Sequence, residues 1–243
     1  PGKKILISGG GRCNFTNLYA SPENYLSQNP HFCKSALARY TPGDFIALVE
    51  SHGIPYHEKK LGQLFCDRSA QDILDMLLSE ATDAGVKLYT GVQVQRISKG
   101  ETLYQLHTPN QTFQARSLVL ATGGLSIPKM GSTDFGYRIA KQFGHRCVAP
   151  QPGLVPLTFS KSTKALAELR GLGLDTEVRL AQTHFRENTL FAYFGLSGPA
   201  ILQISSYWQP EQALRLNFLP DLHLPSLIES WQREKRPAQI TTL

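Results

Sequence analysis

One stretch of the sequence decides how the rest is interpreted: Lys3-Lys4-Ile5-Leu6-Ile7-Ser8-Gly9-Gly10-Gly11-Arg12-Cys13-Asn14-Phe15-Thr16-Asn17. A short apolar run enters three consecutive glycines, and a cation and a side-chain amide follow at once. Glycine lets a backbone approach a ligand closely and adopt positive φ, and oriented N–H groups beside a guanidinium suit a pyrophosphate or an electron-rich ring. The stretch therefore predicts a loop that holds an anion, with a plain glycine-rich turn after a strand as the alternative.

Length and composition limit the class of protein. At 243 residues the chain is longer than the roughly 100–200 residues of a typical domain, so we expect one large or two modest domains. The composition, 41% hydrophobic and 18% charged, is typical of soluble globular proteins. No run approaches the ~18 apolar residues that span a bilayer, and no signal peptide is present, which predicts a cytoplasmic protein with no membrane partner.

The distribution of charge, cysteine and histidine argues against several kinds of site. The net charge of +6 favours phosphate-rich partners, but the 25 basic residues form no long block, so charge alone does not predict nucleic-acid binding. The four cysteines form no C-x-x-C pair, and the seven histidines form no H-x-x-x-H or H-E-x-x-H pattern. We therefore expect reduced thiols and no metal site.

The first part of the chain alternates helical and extended patterns. A capping Thr41 followed by proline predicts a helix from about 42 to 52, and a hairpin or pair of short strands follows from 54 to 65. Ser69 caps a second helix, whose apolar positions recur at 3.6 spacing and which Gly85 ends. Residues 86–115, broken by Lys-Gly and Pro-Asn turns, predict extended chain and then a small antiparallel meander.

The next segment has the pattern of a strand that approaches a ligand. Residues 117–124 form a nearly continuous apolar run that ends in Ala121-Thr122-Gly123-Gly124, which predicts a buried sheet strand with a ligand at its carboxyl end. Gly131-Ser132-Thr133-Asp134 then predicts the N-cap of a helix that ends at Gly144, or amides that face a substrate or phosphate. This order of elements resembles the second half of a dinucleotide-binding domain.

The pattern changes at Gln151, after a proline-containing crossing. Short extended runs separated by glycines predict a β-rich, barrel-like second domain over 151–220, in which Pro199 starts a short helix. Residues 221–243 predict the truncated start of a helical insertion. The predicted fold is therefore α/β (α+β), with a partial Rossmann-type domain and an antiparallel meander over 1–150 followed by these two segments.

Catalytic groups supplied by the protein itself are not evident. Ser197 lacks the G-x-S-x-G spacing of a nucleophile elbow, and no paired carboxylates stand out. An enzyme with glycine-terminated strands and no such groups usually takes its chemistry from a cofactor.

Three motifs carry a resemblance to a known family: Lys4-Ile5-Leu6-Ile7-Ser8-Gly9-Gly10-Gly11-Arg12-Cys13-Asn14, Leu120-Ala121-Thr122-Gly123-Gly124-Leu125-Ser126-Ile127-Pro128-Lys129 and Gly131-Ser132-Thr133-Asp134-Phe135-Gly136. With them the chain resembles the BaiN/RdsA-type family of NAD(P)/FAD-dependent flavoproteins, and residues 190–202 are similar to a further family block. The resemblance covers nearly all 243 residues, and its first motif is highly specific. It favours a cofactor loop over the plain glycine turn.

The resemblance implies an FAD-binding Rossmann-type domain interrupted by a β-rich domain and a helical insertion. It implies FAD contacts in three segments: Ser8, Gly9, Gly10, Gly11, Arg12 and Asn14 near the pyrophosphate and flavin, Val94 at the adenine, and Ala121, Thr122, Gly123 and Gly124 at the ADP half. Family members also begin with a Gly-x-Gly-x-x-Gly turn and close with a flavin-contacting segment, and this sequence has neither. We therefore expect a central fragment that binds FAD weakly or not at all.

For activity, the resemblance implies reduction of FAD by NAD(P)H and hydride transfer to an unsaturated acceptor. The family is linked to reduction of uridine in ribosomal RNA to dihydrouridine, which would give the charge of +6 a purpose, and a small-molecule enone is the competing acceptor. A non-catalytic nucleotide- or RNA-binding module is the alternative from another class.

Three side chains near these motifs have two interpretations each. Cys13 is a candidate proton donor beside the flavin, and the alternative is a small buried residue that packs behind the loop. Thr133 and Asp134 could shape the substrate side and are equally well explained as helix caps.

Overall fold

The structure is a computed structural model that describes residues 1–233. The chain divides into two compact units, Pro1–Val148 and a second that begins at Ala149. The strands described form three sheets, and all the pairings recorded between them are antiparallel. No helix within residues 1–233 combines the length and apolar character that crossing a membrane requires.

The first unit contains five α-helices, three short 3-10 helices and six strands among its described residues. The helices are α1 Lys3–Ile7, α2 Lys34–Arg39, α3 Pro42–Ser51, α4 Ala70–Asp83 and α5 Phe135–Gln142. The strands are β1 Asn14–Asn17, β2 Tyr56–Glu58, β3 Gln63–Cys66, β4 Arg96–Lys99, β5 Tyr104–His107 and β6 Thr112–Ala115. They form two three-stranded sheets in the orders β1-β3-β2 and β4-β5-β6. The predicted hairpin and meander are confirmed.

Helices α3 and α4 begin at their predicted caps. Thr41 Oγ1 accepts a hydrogen bond from Asp44 N at 3.2 Å, and the Asp44 carboxylate accepts one from Thr41 N at 2.7 Å, so the two residues close a capping box. Ser69 Oγ accepts a hydrogen bond from Gln71 N at 3.1 Å at the start of α4. These bonds satisfy N–H groups that have no partner within the helix, which is why a sequence pattern locates both starts.

The core of the first unit lies between α3, α4 and the first sheet. Its buried members come from all three elements and from the residues beside them: Cys13, Val49, Ile54, Cys66, Ala70, Ile73 and Met76. The Phe15 ring packs edge-on against Tyr56, with 5.4 Å between centroids, and at a tilt against Phe45, with 6.0 Å. Because Phe15 belongs to β1, burial of its ring holds this strand, and the glycines just before it, against the core.

Three predictions about extended chain are wrong. Residues 86–94 and 117–124 form no strand, and the second segment is exposed rather than buried, with Val119 at 83% exposure. The apolar run before the glycines is the helix α1, not the strand that the plain-turn alternative assumes. An apolar run becomes a buried strand only beside a neighbour that pairs with its backbone, and no described strand pairs with either segment.

The second unit is built on one five-stranded sheet. Its strands are β7 Leu157–Thr158, β8 Gly173–Leu180, β9 Thr183–Ala192, β10 Gly195–Ser197 and β11 Arg215–Asn217, in the order β11-β8-β9-β10-β7. Helix α6 Pro199–Ser205 packs on this sheet, with Val178, Ala200, Ile201 and Ile204 in the core. The predicted β-rich character and the helix at Pro199 are confirmed. Helix α7 spans Leu224–Arg233, and the rest of the predicted helical insertion lies outside the described residues.

Candidate cofactor-binding loop

The three glycines form a tight turn between α1 and β1. Gly9, Gly10 and Gly11 have φ angles of 56°, 68° and 87°, and Cys13 also has a positive φ of 51°. A hydrogen bond from Cys13 N to Ser8 O, 3.0 Å long, closes the turn. Glycine adopts these angles without the steric cost that other L-residues pay, so this backbone path depends on the three glycines.

The turn has one crowded glycine and one open glycine. A Cβ atom on Gly9 would lie 2.7 Å from both Asn14 N and the Phe65 ring, whereas a Cβ on Gly10 would meet no atom within 4 Å. On Gly11 the nearest atom would be Leu6 O at 3.9 Å. The backbone of Gly10 and Gly11 is therefore accessible to a ligand. This open surface of bare backbone fits the predicted approach of a pyrophosphate or flavin.

Arg12 and Asn14 flank the buried Cys13 and behave differently. The Arg12 guanidinium makes no hydrogen bond or salt bridge with any residue in 1–233, so its charge is available to an anion. With its amide oriented to satisfy both neighbours, Asn14 Nδ2 donates to Thr16 O at 3.0 Å and to Leu64 O at 3.2 Å. Asn14 thus joins β1 to β3, whereas the Arg12 side chain has no partner among residues 1–233.

Cys13 is a core residue. Its side chain is 5% exposed and belongs to the cluster that also holds Cys66. Burial raises the pKa of the Cys66 thiol to about 11, and the proximity of Cys13 adds to the shift. The burial of Cys13 is what the packing alternative expects, because a core side chain is not exposed to a ligand.

The structure brings the second glycine segment towards the first. Lys4 Nζ, in the helix that leads into the glycine turn, donates a hydrogen bond of 2.8 Å to Ser126 Oγ, two residues after Gly124. The same segment contacts α5, because a Cβ on Gly136 would lie 2.2 Å from Thr122 Oγ1. Residues 121–124 therefore form an exposed loop that contacts α5, which corrects the predicted strand, and Ser126 just after them is bonded to α1, the helix that leads into the glycine turn.

Val94 has no hydrogen bond to the two glycine segments within residues 1–233. It is half-buried and precedes β4. The start of α5 also differs from the prediction of a strong side-chain cap. Asp134 occupies the N-cap position but accepts its hydrogen bond from Arg138 Nε at 3.0 Å, and Thr133 Oγ1 accepts from Phe135 N at 3.4 Å, which is a weak bond.

Two polar residues near these motifs were missed from the sequence. The motif gives Lys4 no role of its own, and in the structure Lys4 bonds to a loop that is distant in sequence. The Ser132 hydroxyl is buried and is the one such side-chain atom in residues 1–233 without a hydrogen-bond partner. A buried polar atom without a partner is unusual, but only the tertiary structure shows its burial. Within the same residues, no group of three or more His, Cys, Asp or Glu could hold a metal ion.

Family models match both parts of the chain. The model described as the HI0933-like protein Rossmann domain matches residues 1–192, and the model described as the HI0933-like protein barrel and H2TH domain matches residues 151–242. The chain belongs to the HI0933-like family. The resemblance drawn from the motifs is confirmed, and so is the fold class of a Rossmann-type domain combined with a barrel domain.

Curated relatives cover nearly the whole chain. It is 52% identical over 241 residues to a ribosomal RNA dihydrouridine synthase of Escherichia coli (strain K12), over 98% of this chain and 60% of that protein. It is 46% identical to a protein of the same name from Haemophilus influenzae, over 100% of this chain and 62% of that protein. A 3-dehydro-bile acid delta(4,6)-reductase of Clostridium scindens is 31% identical, over 91% and 56% respectively. The chain spans about three fifths of the length of these relatives.

Proposed function

We propose that this protein is an FAD-dependent oxidoreductase that reduces uridine in ribosomal RNA to dihydrouridine, with NAD(P)H as the reductant. One observation carries the proposal: identity of 52% and 46%, over 98% and 100% of the chain, to relatives named ribosomal RNA dihydrouridine synthase. The net charge of +6 supports a polyanionic substrate. The more distant relative is named as a reductase, and an enzyme name for all three relatives supports an enzyme over a non-catalytic binding module.

The glycine turn supports the proposed cofactor. We assign the backbone of Gly10 and Gly11 and the Arg12 guanidinium to the phosphate and flavin side of FAD, because the glycines present open backbone and the guanidinium has no partner in residues 1–233. The loop 121–124 is assigned to the ADP half, since the Lys4–Ser126 hydrogen bond keeps it beside α1. Ser8, Gly9 and Asn14 act by shaping the turn, and the contact of Val94 with adenine stays a prediction.

The proposed reaction requires one hydride and one proton for each uridine. Bound FAD, once reduced by NAD(P)H, would supply the hydride. The proton would come from a separate donor. The burial of Cys13 argues against its acting as that donor, because a core thiol has no contact with a bound substrate. What the described residues supply is position: a hydrogen-bonded glycine turn, a cation without a partner in residues 1–233 and a second loop joined to α1 through Ser126.

A small-molecule acceptor is the second candidate, and the relative named 3-dehydro-bile acid delta(4,6)-reductase favours it. Its identity of 31% is lower than that of the two RNA-modifying relatives. The two candidates differ in how the reaction responds to salt. Binding of RNA releases counterions and weakens steeply as salt rises, whereas binding of a neutral enone does not.

The test uses the protein expressed from its natural gene. We expect a flavin absorbance spectrum after purification, bleaching of that spectrum by NADPH under anaerobic conditions, and NADPH oxidation stimulated by ribosomal RNA that lacks the modification. Mass spectrometry of the RNA should show the mass of two added hydrogens at one uridine. A spectrum without flavin peaks would refute the cofactor assignment, and oxidation indifferent to RNA would refute the substrate.

A further inference from the structure

A cleft beside the β2–β3 hairpin is lined by aromatic and amide side chains. Its volume is about 420 Å³, and two aromatic rings and two amides are among the residues that line it: Asn17, Tyr19, Ala20, Asn24, Tyr25 and Leu61. Tyr19 is 70% exposed and Tyr25 is 49% exposed. Two exposed aromatic side chains in one cleft offer a suitable surface for a ligand with a flat, partly apolar face.

One wall of the cleft is held rigidly. Asn17 Nδ2 donates to Leu61 O at 2.9 Å, and Asn17 Oδ1 accepts from Tyr19 N at 2.8 Å, so this amide joins the end of β1 to the β2–β3 turn. The Tyr19 ring lies against Gly62, where a Cβ would come within 2.7 Å of Tyr19 Cδ2. The ring is therefore pre-positioned, and a ligand that stacks on it pays little for ordering the side chain.

The other wall supplies a hydrogen-bond donor. Asn24 Oδ1 accepts from both N and Oγ of Ser21, at 2.8 and 3.1 Å, and Tyr25 N donates to Pro22 O at 3.1 Å. Asn24 Nδ2 has no hydrogen-bond partner within residues 1–233. This amide can therefore donate to a carbonyl acceptor in the cleft, and uracil carries two carbonyl groups on its ring.

Both basic and acidic side chains stand next to the cleft residues in the sequence, and Lys59 lies over the Phe65 ring, 5.3 Å from its centroid. Lys59 and Lys60 immediately precede the lining residue Leu61 in the β2–β3 turn. A hydrogen bond from Ser21 and the nearby Lys34 ammonium both lower the pKa of Glu23, so this carboxylate stays negatively charged and Lys34 offsets its charge. The second acid, Glu58, accepts a hydrogen bond from Gly62 N at 2.9 Å. Basic side chains beside an aromatic platform are the usual means of binding single-stranded RNA.

We propose that this cleft binds one unpaired nucleobase of the RNA substrate, stacked on Tyr19 and Tyr25, and that Asn24 donates to a carbonyl of the base. The inference rests on the proposed function, which supplies RNA as the substrate. Strand β1 leads from the glycine turn directly to the cleft, a distance of about 10 Å along the strand. The cleft would thus hold a base that flanks the reacting uridine in sequence.

The test compares two RNA probes and matched tyrosine variants. Fluorescence anisotropy measures binding of a labelled oligouridylate and of an abasic oligonucleotide of equal length, which keeps the phosphates and lacks the bases. Tyr19→Leu and Tyr25→Leu should each weaken oligouridylate binding about tenfold, since stacking on an aromatic ring contributes about 1–3 kcal/mol per base. Binding of the abasic probe, and the slope of affinity against salt, should not change.

Two further variants guard against misfolding and nonspecific effects. Tyr19→Trp keeps an aromatic surface and should retain oligouridylate binding, which a variant that merely unfolds cannot do. Tyr193→Leu removes a tyrosine of similar exposure, 76%, in the second unit and should leave both probes unaffected. Equal weakening of both probes by Tyr19→Leu, or competition between FAD and oligouridylate for the cleft, would overturn the proposal.

The same variants separate this inference from the proposed function. If the wild-type protein forms dihydrouridine and Tyr19→Leu forms it at an unchanged rate at subsaturating RNA, the cleft assignment fails and the function stands. If oligouridylate binds in the cleft as described but no dihydrouridine forms, the proposed reaction fails and the binding site stands.

Discussion

The two faces of the glycine turn allow stability and cofactor binding to be perturbed separately. Gly9→Ala and Gly10→Ala each place an alanine at positive φ, 56° and 68°, which costs about 1–2 kcal/mol. The Gly9 methyl group would also lie 2.7 Å from Asn14 N and from the Phe65 ring, and overpacking of this kind adds about 1–3 kcal/mol. Gly9→Ala should therefore lower the free energy of unfolding by about 2–5 kcal/mol, clearly more than Gly10→Ala.

FAD affinity, in contrast to stability, should depend mainly on Gly10. The Gly10 methyl group meets no protein atom within 4 Å and instead occupies the open face to which we assign FAD. Gly10→Ala should thus fold normally and lose about tenfold or more in FAD affinity, equivalent to about 1.4 kcal/mol. Urea denaturation followed by circular dichroism measures the stability of each variant, and quenching of flavin fluorescence on binding measures the affinity.

A matched control isolates the strain of positive φ. Gly171 has a φ of 90°, has open space around its Cβ position and lies in the second unit, so Gly171→Ala should cost stability without affecting FAD binding. The steric argument is refuted if Gly9→Ala is as stable as Gly10→Ala. The assignment of FAD to the open face is refuted if Gly10→Ala folds and binds FAD with wild-type affinity.

Three further perturbations test other parts of the structure. Thr176→Val leaves the buried Thr189 hydroxyl without its 2.6 Å partner and should lower the free energy of unfolding by about 1–3 kcal/mol in urea denaturation, while adding Thr189→Val should recover part of the loss. Burial raises the pKa of Cys66 to about 11, whereas the thiol of the unfolded chain has a pKa of about 8.5 and ionises first as the pH rises. The free energy of unfolding should therefore be unaffected by this thiol below about pH 8.5 and should fall by about 1.4 kcal/mol per pH unit between about pH 9 and 11. Gly195→Ala puts a Cβ 1.8 Å from Leu157 O and should break the pairing of β10 with β7, which would lower the Tm.

The threonine, cysteine and glycine variants each have a control and a result that would contradict the expectation. For the threonine pair, a double variant that loses the full sum of the two single losses would show that the hydroxyls do not interact. For the thiol, Cys66→Ala should remove the alkaline slope, and a slope that persists would assign it to other groups. For the sheet, Gly195→Ala with a Tm no lower than that of Gly171→Ala would show that the strands can separate at no cost.

Local signals in the sequence located much of the fold. The caps at Thr41 and Ser69 and the 3.6 spacing of α4 predicted helices that the structure has, because a cap and an amphipathic face involve only residues within a few positions of each other. The glycine turn was also predictable, since positive φ at three successive positions strongly favours glycine. The family could be inferred from the motifs for the same reason: they encode backbone geometry directly.

Contacts between distant segments could not be predicted in this way. The 117–124 run has the composition of a buried strand, but its exposure follows from the absence of a paired neighbour among the described strands. The cleft of Tyr19 and Tyr25 was missed, because it forms only when the segment after β1 lies beside Leu61 of the β2–β3 turn. Its two tyrosines, separated by five residues, carry no periodic signal in the sequence.

The sequence by itself determined the glycine turn, the capped helices, the antiparallel meander and the family, all of which depend on backbone preferences and spacings within short segments. Only the tertiary structure decided that Cys13 is buried while Arg12 has no partner among the described residues, and that Lys4 reaches Ser126 across more than one hundred residues. Burial and pairing are properties of what surrounds a side chain, and those surroundings come from parts of the chain that are distant in sequence.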